Sequence, residues 1–79
     1  MRIDKYLKVS RIIKRRTVAK DACDKGIVKI NGKVVKSSAE VKPGDIIEIQ
    51  FGEKLMKFKV TEIREHVLKN DAKELYEML

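Results

Sequence analysis

Along the first ten residues the apolar positions Ile3, Tyr6 and Leu7, with Ser10 next in line, recur at intervals of three and four. That spacing predicts a short helix from about Ile3 to Val9, with Asp4 in the first turn, where a carboxylate complements the helix dipole. A connector containing Ile12 and Ile13 follows. Val18, Ala19, Ala22 and Cys23 then mark the apolar side of a second helix, for which Thr17 is the expected cap and Gly26 the stop. The small residues Ala19 and Ala22 would let this helix approach its neighbour closely.

From Ile27 the period shortens to two. The β-prone runs "IVKI" and "KVV" flank Asn31-Gly32, a pair that tolerates positive φ and so predicts a tight hairpin. "KPGD" at Lys42 to Asp45 marks another turn, after which Ile47, Ile49 and Phe51 share one strand face and Glu48 and Gln50 the other. Gly52 turns the chain again, and Met56, Phe58 and Val60 alternate with Lys57, Lys59 and Thr61. At the end, Ala72, Leu75, Tyr76 and Leu79 follow a helical spacing with Asn70 or Asp71 as cap and Glu74 placed for a capping box. The expected class is α+β: two N-terminal helices, in a helix-turn-helix-like arrangement, on a small bent antiparallel sheet of three to five strands, with a short C-terminal helix.

A length of 79 residues allows a single domain, residues 1–79, and 43% hydrophobic residues suffice to fold it. The apolar runs are too short for a membrane span, and "MRIDKYLK" lacks the apolar core of a secretory signal, so the expected location is the cytoplasm. The single cysteine, Cys23, cannot form an internal disulfide, and with one histidine, His66, there is no zinc ligand set. Cys23 reads as a small buried residue, His66 as a surface residue and Tyr6 as core. No metal or cofactor is expected. An enzyme is not expected either, since no nucleophile–histidine pair, carboxylate pair or phosphate-cradling glycine loop is present.

Charge changes the picture more than composition does. The net charge is +7, and Met1 to Ala22 holds eight basic residues against two acidic ones, so that stretch carries +6 and the rest of the chain +1. Such segregation suits a polyanion. Within "SRIIKRRTVAK", Arg15 and Arg16 stand at the start of the second helix, where the dipole is already positive and added cations cost about 0.3–1 kcal/mol each. A bound phosphate reverses that sign. Free backbone N–H groups, the Thr17 hydroxyl and two guanidiniums would converge on it. Arg2, Lys5 and Lys8 recur at intervals of three and can form a stripe on the first helix, which Arg11, Lys14 and Lys20 would widen. With only four aromatic residues the chain is not built like a single-strand sheet binder, so for an RNA ligand a structured one is expected over base-specific reading. A DNA-binding helix-turn-helix module and a membrane-surface helix are the rival readings. Whether Lys33 and Lys36 extend the footprint stays open.

"RIDKYL" at Arg2 to Leu7, "SRIIKRRTVA" at Ser10 to Ala19 and "DKGIVKINGKVVK" at Asp24 to Lys36, followed by "VKPGDIIEI", resemble the RNA-binding module first recognised in ribosomal protein S-four. The likeness covers residues 1–51, leaving a C-terminal strand and helix over 55–79. With "FGEKL" and "AKELYEML" included, the chain most resembles the stand-alone bacterial branch of that family, the RqcP group of ribosome-associated quality control. The chain is expected to act as a monomer, and the resemblance implies a protein that binds large-subunit rRNA and peptidyl-tRNA on stalled large subunits. It also implies support for template-free alanine tailing by RqcH, met through the shared ribosomal complex. The RNA face it implies is formed by the first two helices, with Arg2 and Arg16 within the motif, then Arg11, Arg15 and Thr17, while Lys5, Lys8, Lys14 and Lys20 add diffuse attraction. The heat-shock-protein-fifteen group, whose members usually continue into a longer basic tail, is the alternative, as a rescue factor for large subunits.

Overall fold

A computed structural model describes all residues from Met1 to Leu79. Helix α1, Ile3–Val9, and helix α2, Arg16–Asp24, precede four strands: β1, Val28–Ile30; β2, Lys33–Val34; β3, Ile46–Phe51; and β4, Lys54–Val60. A 3-10 helix, η1, runs over Lys69–Leu75 and leads into a fifth strand, β5, Tyr76–Met78. The sheet is antiparallel throughout, in the order β2-β1-β3-β4-β5. Three helices on one antiparallel sheet give the α+β class that the hydrophobic pattern predicts.

The core lies between the helices and one face of the sheet. Ile3, Tyr6 and Leu7 from α1 and Ala19, Ala22 and Cys23 from α2 meet Val28, Ile47, Ile49, Phe58 and Val60, the inward residues of the neighbouring strands β1, β3 and β4. A fully buried side chain of this size contributes about 1.5–3 kcal/mol, so these few residues decide the fold. Both turn motifs form as their sequences require. Asn31 and Gly32 take φ of 51° and 85°, and the Asn31 side chain ties that tip to the "KPGD" turn by accepting from the Ile46 N–H at 2.9 Å and donating to Asp45 at 3.1 Å. Helix α2 ends at Gly26, φ +77°, with the Gly26 N–H on the Cys23 carbonyl and the Ile27 N–H on the Ala22 carbonyl, the paired bonds of a Schellman stop.

Four local expectations are corrected. Helix α2 starts at Arg16, with Arg15 extended before it, so Thr17 lies inside the first turn and its hydroxyl caps nothing. Val18 is exposed, because only Ala19, Ala22 and Cys23 face the core. Phe51 stands at the end of β3 opposite Lys54, beyond the cover of the helices, and is 40% exposed. The terminal helix is a 3-10 helix that stops at Leu75. Ala72 and Leu75 are its buried pair at a spacing of three, and Tyr76 to Met78 extend along the open edge of β4. There Tyr76 meets Phe58 edge to face at 5.6 Å and Glu77 lies opposite Lys59, so tertiary pairing overrides the helical spacing.

Candidate nucleic-acid interface

Helix α1 is held at its start by a loop rather than by a capping side chain. The Ile3 N–H donates to the Ala39 carbonyl at 2.8 Å and the Asp4 N–H to the Ser37 carbonyl at 3.4 Å, while the N-terminal ammonium pairs with Glu40 at 2.8 Å. That ammonium holds the Glu40 carboxyl below the usual range. Deeper in, the Tyr6 hydroxyl donates to the Leu75 carbonyl at 2.7 Å, and burial raises its pKa far above the ordinary phenol value. The helix is therefore fixed on the sheet from both the hairpin side and the C-terminal side.

On this rigid base sits a three-residue cluster. The Asp4 carboxylate, with its side chain only 3% exposed, accepts from Arg2 Nη2 at 3.1 Å and stands 3.5 Å from Arg16 Nη2. It also accepts from the Lys5 backbone N–H at 2.8 Å. The two guanidiniums remain 45% and 48% exposed. One buried carboxylate thus draws the arginine preceding α1 and the arginine opening α2 to the same place, each with donors left over for solvent. The hydrogen bond orients the Arg2 fork, and charge attraction at 3.5 Å holds the Arg16 fork beside it, which suits phosphate recognition more than two free side chains would.

The start of α2 adds backbone donors. Arg15 is extended, its carbonyl accepts the Ala19 N–H at 3.1 Å, and no side chain caps the first turn. The N–H groups of Arg16, Thr17 and Val18 therefore face solvent beside Arg15 and Arg16, an arrangement suited to an anion. Lys20 lies one turn further along α2, exposed, and Lys14 lies in the connector, also exposed. Lys5 departs from the expected free stripe, because its ammonium pairs with Glu65 and depresses the Glu65 carboxyl. Lys8 and Arg11 are exposed at the opposite end of α1 from Arg2. Two residues of the site escape the spacing argument, Asp4 as organiser and Glu65 as partner of Lys5. Asp4 was detectable as one of only two acidic residues in the first 22, surrounded by cations.

No helix is long and apolar enough to cross a membrane. The S4 domain model matches residues 1–47. Over its full length the chain is 56% identical to the RQC P-site tRNA stabilizing factor of Streptococcus pneumoniae, of which it covers 90%, and 48% identical to the factor of the same name from Bacillus subtilis, of which it covers 92%. The trimeric structure of Vibrio cholerae Heat Shock Protein 15 superposes with a TM-score of 0.91 at 28% identity, over 100% of this chain and 81% of that one. With more than half the chain matched by the domain model and full-length relatives near 50% identity, the chain belongs to the S4 domain family, in the group of the RQC P-site tRNA stabilizing factors.

Proposed function

We propose that this protein is a non-catalytic RNA-binding factor of ribosome-associated quality control that steadies a P-site tRNA on a large subunit carrying a stalled nascent chain. The α1–α2 face would grip sugar–phosphate backbone of tRNA and large-subunit rRNA together, and the steadied tRNA would support template-free alanine tailing by RqcH. The observation that carries this is the pair of half-exposed guanidiniums, Arg2 and Arg16, oriented by one buried carboxylate beside an uncapped helix start. The names of the relatives support the choice of tRNA as ligand. Phosphate contacts position a protein without reading bases, which fits a factor that must hold any stalled tRNA.

A tagged copy should recover large subunits with peptidyl-tRNA in preference to whole ribosomes, and Arg2→Ala with Arg16→Ala should lose them while still folding. Recovery of whole ribosomes, or none, refutes the role. If about five phosphates are gripped, log K against log salt should fall with a slope of roughly −3.5 to −4.5. A second role, subunit rescue without tailing, is favoured by the close superposition on Heat Shock Protein 15. Deleting the gene separates the two, since only the first loses RqcH-dependent alanine tails.

A further inference from the structure

A small cleft of about 80 Å³ opens at the end of α1 remote from Asp4. Lys8, Val9 and Arg11 line it from the α1 terminus, and Glu65, His66 and Val67 from the segment that follows β4. Its donors are an ammonium, a guanidinium and an imidazole. Its one carboxylate, Glu65, is already engaged by Lys5, so the cleft is not closed to an anion by an unpaired negative charge.

The backbone of Arg11 is the second observation. Arg11 has φ +62°, and its N–H donates to the Lys8 carbonyl at 3.1 Å, which makes it the left-handed residue just past the helix end. Glycine adopts that conformation freely and an L-residue adopts it at a cost. The same chain uses Gly26 at the equivalent position after α2. At the end of α1 it keeps a long cation in the strained conformation instead, and that cation lines the cleft. Strain retained where a side chain meets a cavity points to a use for the side chain.

We infer that this cleft takes a second phosphate of the RNA bound by the α1–α2 face, held by Lys8, Arg11 and His66, so that the footprint runs along α1 and onto residues 65–67. The inference rests on the RNA-binding function proposed above. A purely structural role competes with it: Lys8 and Arg11 also stand where cations favour the negative end of a helix dipole. The two make opposite predictions for Arg11→Gly. Relief of the left-handed strain should leave the melting temperature unchanged or higher while RNA binding weakens, whereas a dipole role lowers melting and spares binding.

The test uses the full chain and a tRNA transcript, with binding measured across a salt series. Arg11→Gly and His66→Ala should each weaken binding about three- to tenfold, and Arg11→Gly should also flatten the salt slope by roughly 0.7–0.9, one phosphate's share. His66 is the sole histidine, so its imidazole proton signals form an isolated NMR probe that should shift on titration with the transcript. The inference fails if Arg16→Ala weakens binding while both cleft variants bind as wild type and the His66 signals stay in place. If the cleft variants weaken binding and the transcript shifts the wild-type His66 signals while Arg16→Ala does not matter, the cleft stands and the main face is misassigned. Absence of any tRNA binding overturns both.

Discussion

Asp4→Asn tests the interface at its organising atom. Asparagine keeps the shape of the side chain and an oxygen for the Lys5 N–H, but removes the charge that draws Arg2 and Arg16 together at 3.1 and 3.5 Å. Two effects on RNA binding then oppose each other. Deleting a negative charge from a basic face favours a phosphate, by about 0.5 kcal/mol for one about 8 Å away in water, and salt screening reduces this further. Against that, both guanidiniums regain side-chain freedom that binding must again remove, at about 0.5–1.5 kcal/mol each. The second effect is larger, about 1–3 kcal/mol for the two side chains, so binding should weaken by about 0.5–2.5 kcal/mol net, roughly two- to seventyfold. Because the contacted phosphates stay the same in number, the salt slope should hold while the whole line drops. The half-exposed pairs should cost folding about 1 kcal/mol, or roughly 4–8 °C in melting temperature for a domain of this size. Fluorescence anisotropy with a labelled tRNA across a salt series measures both slope and intercept. Unchanged or tighter binding would refute the orienting role and reduce Asp4 to a repulsive charge.

Other outcomes follow from the packing around α1 and α2. Tyr6→Phe removes a buried hydrogen bond, but the Leu75 carbonyl still accepts from the Thr61 N–H at 2.9 Å, so the loss should be only about 0.5–1.5 kcal/mol by urea titration. A loss above about 3 kcal/mol would mean the carbonyl is left unpaired. Stability should fall as pH rises from about 9. Burial, with help from Asp4 and Asp24, pushes the Cys23 thiol from 9.0 up to about 11, and burial raises Tyr6 further, so above pH 9 the unfolded chain sheds protons that the folded chain keeps. Cys23→Ala should remove the first part of that decline in melting scans, and an unaltered profile would contradict the burial argument. Gly26→Ala should cost about 1–2 kcal/mol, wholly from the left-handed backbone, because the added Cβ would meet Val34 Cγ1 at an ordinary 3.7 Å. Wild-type stability in that variant would mean the helix end relaxes.

What could be read from the sequence was whatever depends on neighbours along the chain. The spacing of Ile3, Tyr6 and Leu7, the stop at Gly26 and the Asn31-Gly32 hairpin are local choices that the tertiary structure leaves in place. The cationic face was legible for a similar reason, since most of its charges lie within the first 20 residues. The end of the chain was not. Ala72, Leu75 and Tyr76 fit an α-helix and fit equally a 3-10 helix followed by a strand, and only the unfilled edge of β4 decides between them. Lys5 and Glu65 are 60 residues apart, so no pattern in either segment announces their pairing. Asp4 lay in plain view, but its second effect depends on Arg16 arriving from another helix.

The residues that hold the interface extend well past those the family model matches. That match ends at residue 47, inside β3, yet α1 is anchored by Tyr6 to Leu75, by Lys5 to Glu65, and by a core that includes Phe58 and Val60. A short helix is marginal alone, and α1 has seven residues, so its position derives from what packs on it. The β4, η1 and β5 segment supplies that packing from beneath, leaving the upper side of α1 and the start of α2 to solvent. Arg2 and Arg16 can stay half-exposed because the burial that fixes them falls on Asp4, Ile3 and Tyr6 below. The division of labour is physical: apolar contacts and one buried carboxylate set the geometry, so the cations need not be buried to be placed, and they keep the hydration and free donors that a phosphate can displace.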